Sequence, residues 1–387
     1  MEEKSIFHLL EYVNNHCSYY SDLFLRNDIN IKNADSFESI PLLTKALVQE
    51  NEKSLLSDQY IMNNLIKEKT SGSTGVPLNC YYDRHERVRR SLILWKVRKN
   101  HCIDIMGKRM ISFHSGNRNH GNIIKNSDDI NIDQGSNIAY LNYLDLNDEK
   151  VNKYYTFIKN YKPYFIRCQP SVLQNFITFC NSNNLPLIDF NISLIEFTGE
   201  YFFSNILEQV QNTFINARIF NHYGAQEFFC IAYSCKNQKL HLVDNQLIVE
   251  ILNKDTEGFG DIVITSLSNL TMPFLRYKLG DIGKLSECDC DCNQFHSPVL
   301  ELRSSRISDF FYIDNKKIHG HIFKNIIEKY NSIMNELVIK QFQIIQKTKN
   351  RFDILLVITN ELNKIEPIEN HIQRELLEIL GKSIQIK

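Results

Sequence analysis

Residues 70–77 read TSGSTGVP, a stretch in which Ser and Thr hydroxyls surround two glycines before Pro77 closes it. The preceding run MNNLIKEK (62–69) is predicted to be helical, and the following run LNCYYD (78–83) is predicted to be a strand. Glycines let the backbone approach a ligand closely, and Ser and Thr oxygens add hydrogen-bond donors. The stretch therefore indicates a phosphate-binding loop, with an ordinary Ser/Gly surface loop as the alternative.

Composition places the chain among globular proteins. It has 387 residues, 43% of them apolar, and a formal net charge of −1. A length of this order allows a large domain plus a smaller one, and the charge does not favour a nucleic-acid partner. No run approaches the roughly 18–20 apolar residues of a membrane helix, and the N-terminus lacks a signal-peptide pattern. We expect a cytoplasmic protein with neither a nucleic acid nor a membrane as partner, and a homodimer stays open.

The segment before residue 303 is predicted to be a large α/β domain. Residues 5–66 look helical, with a turn at Pro41 and a helix cap at Thr44. Residues 84–100, RHERVRRSLILWKVRKN, are predicted to form a basic amphipathic helix whose charges lie on a solvated face. Beyond them, strand-like runs such as RMISFH and GDIVITSL alternate with helix-like runs, which predicts a largely parallel sheet.

The segment 304–387 is predicted to be a small separate domain. A strand-like run DFFYIDN precedes a helix over HIFKNIIEKY, and two apolar runs flank the polar turn KTKN as a hairpin. A further helix has apolar residues at i, i+4, i+8 and i+12, and the run SIQIK follows it. The order βαββαβ is that of a ferredoxin-like α+β domain.

Three further segments look like loops at the ends of sheet strands, where α/β domains bind ligands. They are FTGE (197–200), NHYGAQEF (221–228) and FLRYKLGDIGKL (274–285). For the carboxylates Glu200, Glu227 and Asp281, a capping role is the alternative to a binding role.

The order of these segments resembles the adenylate-forming superfamily, and most closely its phenylacetate–CoA ligase and CapK-like branch. The likeness rests on SIPLLTKALV (39–48), TSGSTGVPL with YYD behind it, KPYFIRCQPSVLQNF (162–176), the GE pair, YGAQE and RYKLGD. It covers nearly the whole chain. It implies the superfamily's fold, a large AMP-binding domain (1–303) with a small C-terminal domain (304–387).

The resemblance also implies site residues. The loop residues that would surround the β- and γ-phosphates of ATP are Thr70, Ser71, Gly72, Ser73, Thr74 and Gly75. The residues that would hold the rest of the nucleotide are Gly199 and Glu200 at the adenine, Tyr223 and Gly224 beside it, Asp281 at the ribose and Arg306 at the ribose or phosphate. Glu227 would bind Mg²⁺, and Asp309 would be the hinge of the small domain.

Three departures from the family pattern stand out. Gln226 replaces the usual Thr or Ser before Glu227, and its amide could still donate to a phosphate or to the substrate carboxylate. Ser305 replaces the glycine before Arg306. The adenylation lysine expected about 20 residues past the last helix has no counterpart, because Lys382 comes too early and Lys387 is the last residue. Two interpretations stay open: the natural protein lacks the adenylation lysine, or the small domain is cut short at its end.

Three of the ten cysteines and one histidine form a candidate metal site. Cys235 and His241 stand six residues apart, and CDCDC (288–292) follows in what looks like an exposed loop. Zinc prefers thiolate and imidazole ligands in four-coordinate sites. The branch's C-x-C-G turn selects Cys290 and Cys292, which leaves Cys288 spare and predicts a structural zinc site. The alternative is a polar loop with incidental cysteines, and the remaining cysteines are expected to be buried and inert.

The resemblance implies an enzyme that activates a carboxylic acid with ATP and Mg²⁺ and then transfers it to a thiol such as coenzyme A. Tyr140, Phe197 and Tyr223 would suit an aromatic acid. An amine or a carrier protein as acceptor is one alternative. A nucleotide-binding homologue with weakened catalysis is another.

Overall fold

The computed structural model describes most of the chain. The described ranges are 2–32, 34–70, 78–101, 105–114, 129–143, 148–187, 190–200, 204–287, 290–306, 310–313, 316–319, 321–334, 338–358, 365–380 and 385–386. The predicted residues Ser71, Gly72, Ser73, Thr74, Gly75, Asp309, Lys382 and Lys387 therefore lie outside the described part of the chain, as do Cys102 and Cys288.

The N-terminal part is mostly helical, as predicted. Its elements are α1 (Glu2–His16), α2 (Ser18–Arg26), a 3₁₀ helix (Ala34–Ser39), α3 (Lys45–Glu50), α4 (Glu52–Leu55), a second 3₁₀ helix (Met62–Asn64), β1 (Ile66–Lys69) and β2 (Asn79–Tyr82). The predicted cap is present, since the Thr44 side chain accepts a hydrogen bond from the Leu47 amide. The helix predicted for 62–69 is wrong. Half-buried and exposed residues alternate along β1, which has the two-residue period of a strand and pairs antiparallel with β2.

The middle of the chain alternates helices and strands. Its elements are α5 (Arg84–His101), β3 (Met110–His114), β4 (Ile130–Asp133), β5 (Ile138–Asn142), α6 (Asp148–Tyr161), β6 (Phe165–Cys168), α7 (Pro170–Ser182), β7 (Leu194–Thr198), α8 (Ser204–Thr213) and β8 (Arg218–Tyr223). Strands β5, β3, β6, β7 and β8 are neighbours in that order, and all four ladders between them are parallel. Alternate strand residues pack against α6–α8 in one cluster and against α5 in another.

Strands without intervening helices follow. They are β9 (Ala232–Ser234), β10 (Leu240–Leu242), β11 (Leu247–Leu252), β12 (Gly260–Ser266), β13 (Tyr277–Ser286) and β14 (Val299–Arg306). They extend the parallel core into a twelve-stranded sheet, ordered β11-β12-β13-β14-β10-β9-β8-β7-β6-β3-β5-β4. The expectation of a largely parallel sheet is wrong for this half, where the β8–β9, β9–β10, β10–β14 and β11–β12 ladders are antiparallel. Short turns can join only antiparallel neighbours, since a parallel pair needs a long crossover.

Helix α5 also differs from its prediction. Arg90 and Arg98 are each 3% exposed and Glu86 is 5% exposed, so these charges lie in the interior and not on a solvated face. Each arginine has a buried carboxylate partner, which is the condition under which a charge can be buried. None of the described helices is both long and apolar enough to cross a membrane.

The C-terminal part follows the predicted element order except for one additional strand, Lys316–His319, before its first helix. It comprises β15 (Phe310–Ile313), β16 (Lys316–His319), α9 (His321–Met334), β17 (Ile339–Thr348), β18 (Arg351–Ile358), α10 (Ile365–Leu380) and β19 (Gln385–Ile386). The predicted hairpin is β17–β18, and β19 pairs parallel with β18. Strands β15 and β16 form a hairpin of their own, so the ferredoxin-like sheet stays a prediction. The chain divides into two compact units, residues 1–279 with 283–302 and residues 280–282 with 303–387.

Candidate functional site

The Ser/Gly loop is carried by the β1–β2 hairpin. Thr70 closes the base of the loop, because its amide donates to the Leu78 carbonyl at 2.9 Å and its hydroxyl accepts from the Leu78 amide at 2.9 Å. The second strand is anchored to α4, since Asn79 and Tyr81 both donate to the Glu52 carboxylate, at 2.7 and 2.6 Å. The two ends of the loop are therefore fixed by hydrogen bonds, and Thr70 is the one predicted loop residue whose placement is described.

The GE pair lies at the carboxyl end of β7. Gly199 has a φ of +83°, a conformation that glycine adopts without strain. The Glu200 carboxylate accepts hydrogen bonds from the Ser171 amide at 3.2 Å and the Ser171 hydroxyl at 2.9 Å. Ser171 is in the first turn of α7, whose N-cap residue Gln169 makes no side-chain cap hydrogen bond. Glu200 thus caps α7, which is the alternative role that the sequence allowed for it.

The YGAQE segment leaves the carboxyl end of β8. A Cβ on Gly224 would lie 1.9 Å from the Phe229 carbonyl oxygen, so only glycine fits at this turn. The Gln226 amide donates to the Glu68 carboxylate on β1, which also accepts from Arg87 at 2.9 Å. The Gln226 amide nitrogen has two N–H donors, so this contact leaves one of them, and the expected donation to a phosphate or to the substrate carboxylate stays a prediction. This contact joins the YGAQE turn to the loop-bearing hairpin.

Glu227 is buried between two strands of the sheet and α5. Its carboxylate oxygen Oε1 accepts a hydrogen bond from the Tyr277 hydroxyl at 2.9 Å. Its backbone carbonyl accepts from the Arg90 guanidinium at 2.9 Å, and Arg90 is itself held by Glu86 at 2.7 Å. Tyr277 begins β13, so this hydrogen bond joins the YGAQE turn to the RYKLGD strand.

The remaining predicted residues lie on strands or beyond the described ranges. Asp281 is half-buried within β13, so its segment is a strand and not the loop that the two glycines suggested. Gly280, beside it, has a φ of +94° with nothing within 4 Å of its Cβ position. Arg306 ends β14, and its side chain, like all of Asp309, is outside the described part of the structure.

The four predicted zinc ligands converge. The ligand atoms of Cys235, His241, Cys290 and Cys292 all lie within 4.8 Å of one another. Cys235 follows β9 and His241 is in β10, which pairs with β14 beside the Cys290–Cys292 turn. Zn–S bonds of about 2.3 Å in a tetrahedron put two sulfurs about 3.8 Å apart. The observed Cys235–Cys290 Sγ distance is 3.8 Å, and Cys292 Sγ lies 3.7 Å from His241 Nε2.

The surroundings of this cluster suit a metal. His241 Nδ1 lies 3.1 Å from the Ser297 carbonyl, which can only accept, so Nδ1 carries the proton and Nε2 offers its lone pair. The backbone amide of Asn237 donates to Cys235 Sγ and the backbone amide of Gln294 donates to Cys292 Sγ, each at 3.4 Å. Such donors favour the thiolate form of a cysteine. Cys292 is 1% exposed, while Asp291 and Asn293 on either side of it are exposed, so the loop lies at the surface as predicted but this thiol points inward.

Comparison with known proteins tests the family resemblance. No family model matches the sequence. The chain is 23% identical over 367 residues to protein CapK of Staphylococcus aureus, covering 91% of this chain and 77% of CapK. It is 26% identical over 156 residues to the phenylacetate–coenzyme A ligase of Thermus thermophilus, covering 37% of this chain and 35% of that ligase.

Solved structures have a similar fold. A 2-hydroxyisobutyryl-CoA ligase crystallised with its acyl-AMP has a TM-score of 0.73 at 12% identity, covering 100% of this chain and 84% of that ligase. The GH3.15 acyl acid amido synthetase has a TM-score of 0.62 at 10% identity, with coverage of 100% and 84%. The fold is therefore that of adenylate-forming enzymes. The sequence is similar to a CapK protein and to a phenylacetate–coenzyme A ligase.

The protein also has a buried ionic cluster that the sequence did not predict. Arg98 on α5 makes two hydrogen bonds of 2.7 Å to Glu196 on β7, whose exposure is 0%. Arg167 on β6 lies 3.1 Å from the same carboxylate, and the Tyr233 hydroxyl donates to it at 2.8 Å. The available signal was a glutamate inside the apolar run SLIEFTG, together with arginines among the apolar residues of α5.

The charges of this cluster are fixed by its surroundings. Burial favours the neutral form of Glu196, but Arg98, His222 and Arg167 outweigh it and lower the carboxyl pKa to about 2. Burial lowers the pKa of His222 on β8 to about 3, with Glu196 opposing and the two arginines reinforcing the shift. At neutral pH the cluster therefore combines ionised Arg98, Arg167 and Glu196 with a neutral imidazole, one residue before Tyr223 at the end of β8.

Proposed function

We propose that the protein activates a carboxylic acid with ATP and transfers the acyl group to a thiol such as coenzyme A. A carboxylate oxygen attacks the α-phosphorus, the bond to pyrophosphate breaks, and an acyl-adenylate forms. The thiolate then attacks the acyl carbon and AMP leaves. The observation that supports this function is the joining of three motif-bearing segments through two contacts, Glu68 with Gln226 and Tyr277 with Glu227.

Each segment has a role in this proposal. Thr70 and the loop residues 71–75 would bind the β- and γ-phosphates, while Gly199, Glu200, Tyr223 and Gly224 would line the adenine. Asp281 would accept from the ribose hydroxyls, and Arg306 would contact the ribose or phosphate. Glu227 would hold Mg²⁺, which suits an oxygen ligand and would neutralise phosphate charge. Its 8% exposure gives that carboxylate a largely dry environment in which such an interaction is strong.

The identity of the acid is the finer part of the proposal. An aromatic acid is supported by the half-buried Tyr140 and Tyr223. Phe197 does not support it, because its side chain is fully buried in the cluster that packs against α6–α8. Two similar proteins are named for different acids, phenylacetate and 2-hydroxyisobutyrate. A panel of substrates should therefore include both classes of acid.

The acceptor has one specific alternative. The fold is shared with an acyl acid amido synthetase at a TM-score of 0.62, which supports an amine as the second nucleophile. Both acceptors would follow the same adenylation step. Product analysis with coenzyme A, with amines and with a carrier protein distinguishes them.

A structural zinc ion completes the proposal. Cys235, His241, Cys290 and Cys292 would supply four ligands, and the 3.7–3.8 Å separations fit a tetrahedral site. With all four positions taken by protein, the ion would stabilise the fold and leave no position for substrate.

The test is acid-dependent ATP–pyrophosphate exchange across the panel, with Glu227→Gln beside wild type. We expect exchange with at least one acid, and its loss in Glu227→Gln, because the neutral amide is a poorer Mg²⁺ ligand. Glu208→Gln, an exposed position on α8, is the matched control and should behave as wild type. Wild-type exchange retained in folded Glu227→Gln would contradict the assigned role. No exchange with any acid would favour a nucleotide-binding protein without catalysis.

A further inference from the structure

The carboxylate of Glu227 is held in one orientation by a neutral donor. Tyr277 is 1% exposed, and its hydroxyl donates to Glu227 Oε1 at 2.9 Å. The terminal torsion of a glutamate is otherwise broad, so without a partner the carboxylate would rotate. A phenol keeps its proton and leaves the full negative charge on the carboxylate, whereas an arginine at this place would neutralise it.

The ring of Tyr277 is itself immobilised. It stacks on Phe274 with centroids 5.1 Å apart and meets Phe228 at 5.9 Å. Phe228 directly follows Glu227, so the same packing fixes both partners of the hydrogen bond. An aromatic side chain in such packing cannot change rotamer without displacing its neighbours.

The backbone on both sides of Tyr277 is fixed by residues 38–44, which contain the PLL sequence. The Leu43 amide donates to the Arg276 carbonyl at 3.1 Å, and the Lys278 amide donates to the Leu43 carbonyl at 2.8 Å. Arg276, with a φ of +48°, extends its guanidinium to the Ile40 carbonyl at 3.0 Å and to the Glu38 carbonyl. A left-handed arginine persists only where its surroundings hold it.

We propose that Tyr277 is a positioning residue for Glu227, and that residues 38–44 set the position of Tyr277. This inference rests on the proposed role of Glu227 as the Mg²⁺ ligand. The hydroxyl of Tyr277 restrains one carboxylate oxygen of Glu227. The carboxylate is therefore already oriented when it binds the cation. Loss of the hydroxyl therefore weakens the gain in nucleotide affinity that Mg²⁺ provides more than it weakens nucleotide affinity without metal.

The experiment compares Tyr277→Phe with Tyr155→Phe. Tyr155 on α6 is also buried, and its hydroxyl donates one hydrogen bond, to the Pro186 carbonyl at 3.0 Å. Calorimetric titration measures ATP affinity without metal and at graded Mg²⁺ concentrations. For Tyr277→Phe we expect the Mg²⁺ concentration that gives half of the metal-induced gain in ATP affinity to rise about tenfold. The ATP affinity measured without metal should not change. Tyr155→Phe should match wild type in both measurements.

A double variant separates positioning from a general structural effect. If the hydroxyl acts through Glu227, adding Tyr277→Phe to Glu227→Gln should cause no further change in the Mg²⁺ requirement. Equal Mg²⁺ requirements of Tyr277→Phe and Tyr155→Phe would overturn the inference while leaving the proposed function intact. Glu227→Gln with the wild-type Mg²⁺ requirement would instead remove the proposed role of Glu227, and this inference with it.

Discussion

Arg98 and Glu196 form a two-point ion pair in the interior, with side chains 4% and 0% exposed. Arg98 Nε lies 2.7 Å from one carboxylate oxygen and Nη2 lies 2.7 Å from the other. The guanidinium also stacks on Trp95 at 4.7 Å and on Phe165 at 5.2 Å. The pair links α5 to β7 directly beneath the edge where the GE and YGAQE segments leave the sheet.

The first prediction concerns this pair. Arg98→Met should lower the free energy of unfolding by about 3–5 kcal/mol, because it removes the strongest partner of a buried carboxylate. A double-mutant cycle with Glu196→Gln should give a coupling energy of roughly 1–3 kcal/mol in urea unfolding. The exposed pair Arg26–Asp22, 3.9 Å apart, is the control and should couple by less than about 0.5 kcal/mol. Equal coupling in the two cycles would contradict the prediction.

The second prediction is acid sensitivity from two buried imidazoles. Burial lowers the pKa of His101 to about 4 and of His222 to about 3. Below a pH of about 6.5 the unfolded chain takes up protons that the folded chain excludes, so stability falls as the pH falls from 6.5 towards these values. Each group contributes at most about 1.4 kcal/mol per pH unit.

Urea unfolding between pH 7 and 5 measures this slope. His101→Gln or His222→Asn should make it shallower, whereas His85→Asn, at a side chain 99% exposed, should not change it. An unchanged slope in both buried variants would show that these imidazoles do not cause the acid sensitivity. Below about pH 4.5 the lowered pKa of Glu196 adds a further loss.

The third prediction concerns zinc. Protein purified without chelator should contain about one zinc ion per chain, and Cys235→Ser should lose it, because three ligands hold the ion far less tightly. Cys180→Ser replaces a buried cysteine that belongs to a separate core cluster and should keep the metal. Elemental analysis and thermal unfolding with and without chelator measure both effects. Zinc-free wild type would reject the site.

The fourth prediction concerns the turn after β8. Gly224→Ala places a Cβ 1.9 Å from the Phe229 carbonyl oxygen, which cannot move without opening the turn. We expect a loss of about 1–3 kcal/mol in unfolding free energy and a loss of pyrophosphate exchange. Gly135→Ala, in a turn where the nearest atom is 3.3 Å away, should have little effect on either. Full activity in Gly224→Ala would mean that the turn adapts.

The sequence by itself determined the features that depend on the order and spacing of residues along the chain. The ordered motifs predicted the fold of adenylate-forming enzymes, and apolar periodicity located the helices and strands of the parallel core. The pair Cys235 and His241, together with Cys290 and Cys292 selected by the branch's C-x-C-G turn, predicted four ligands whose atoms lie within 4.8 Å of one another in the structure. For residues 62–69 the sequence indicated a helix, but Ile66–Lys69 form a strand, because their partner strand β2 lies beyond the loop.

Only the tertiary structure decided which polar residues lie inside and whom they contact. The sequence predicts solvated charges on α5, but Arg98 contacts Glu196 on β7, and Arg90 contacts Glu86 on the same helix and the Glu227 carbonyl. Gln226 donates to Glu68, 158 positions away, a contact that the sequence does not indicate. Tyr277 carried no signal, since its partner is Glu227, 50 positions earlier. Such pairs form across the chain, and a local pattern contains no information on which distant residue is brought into contact.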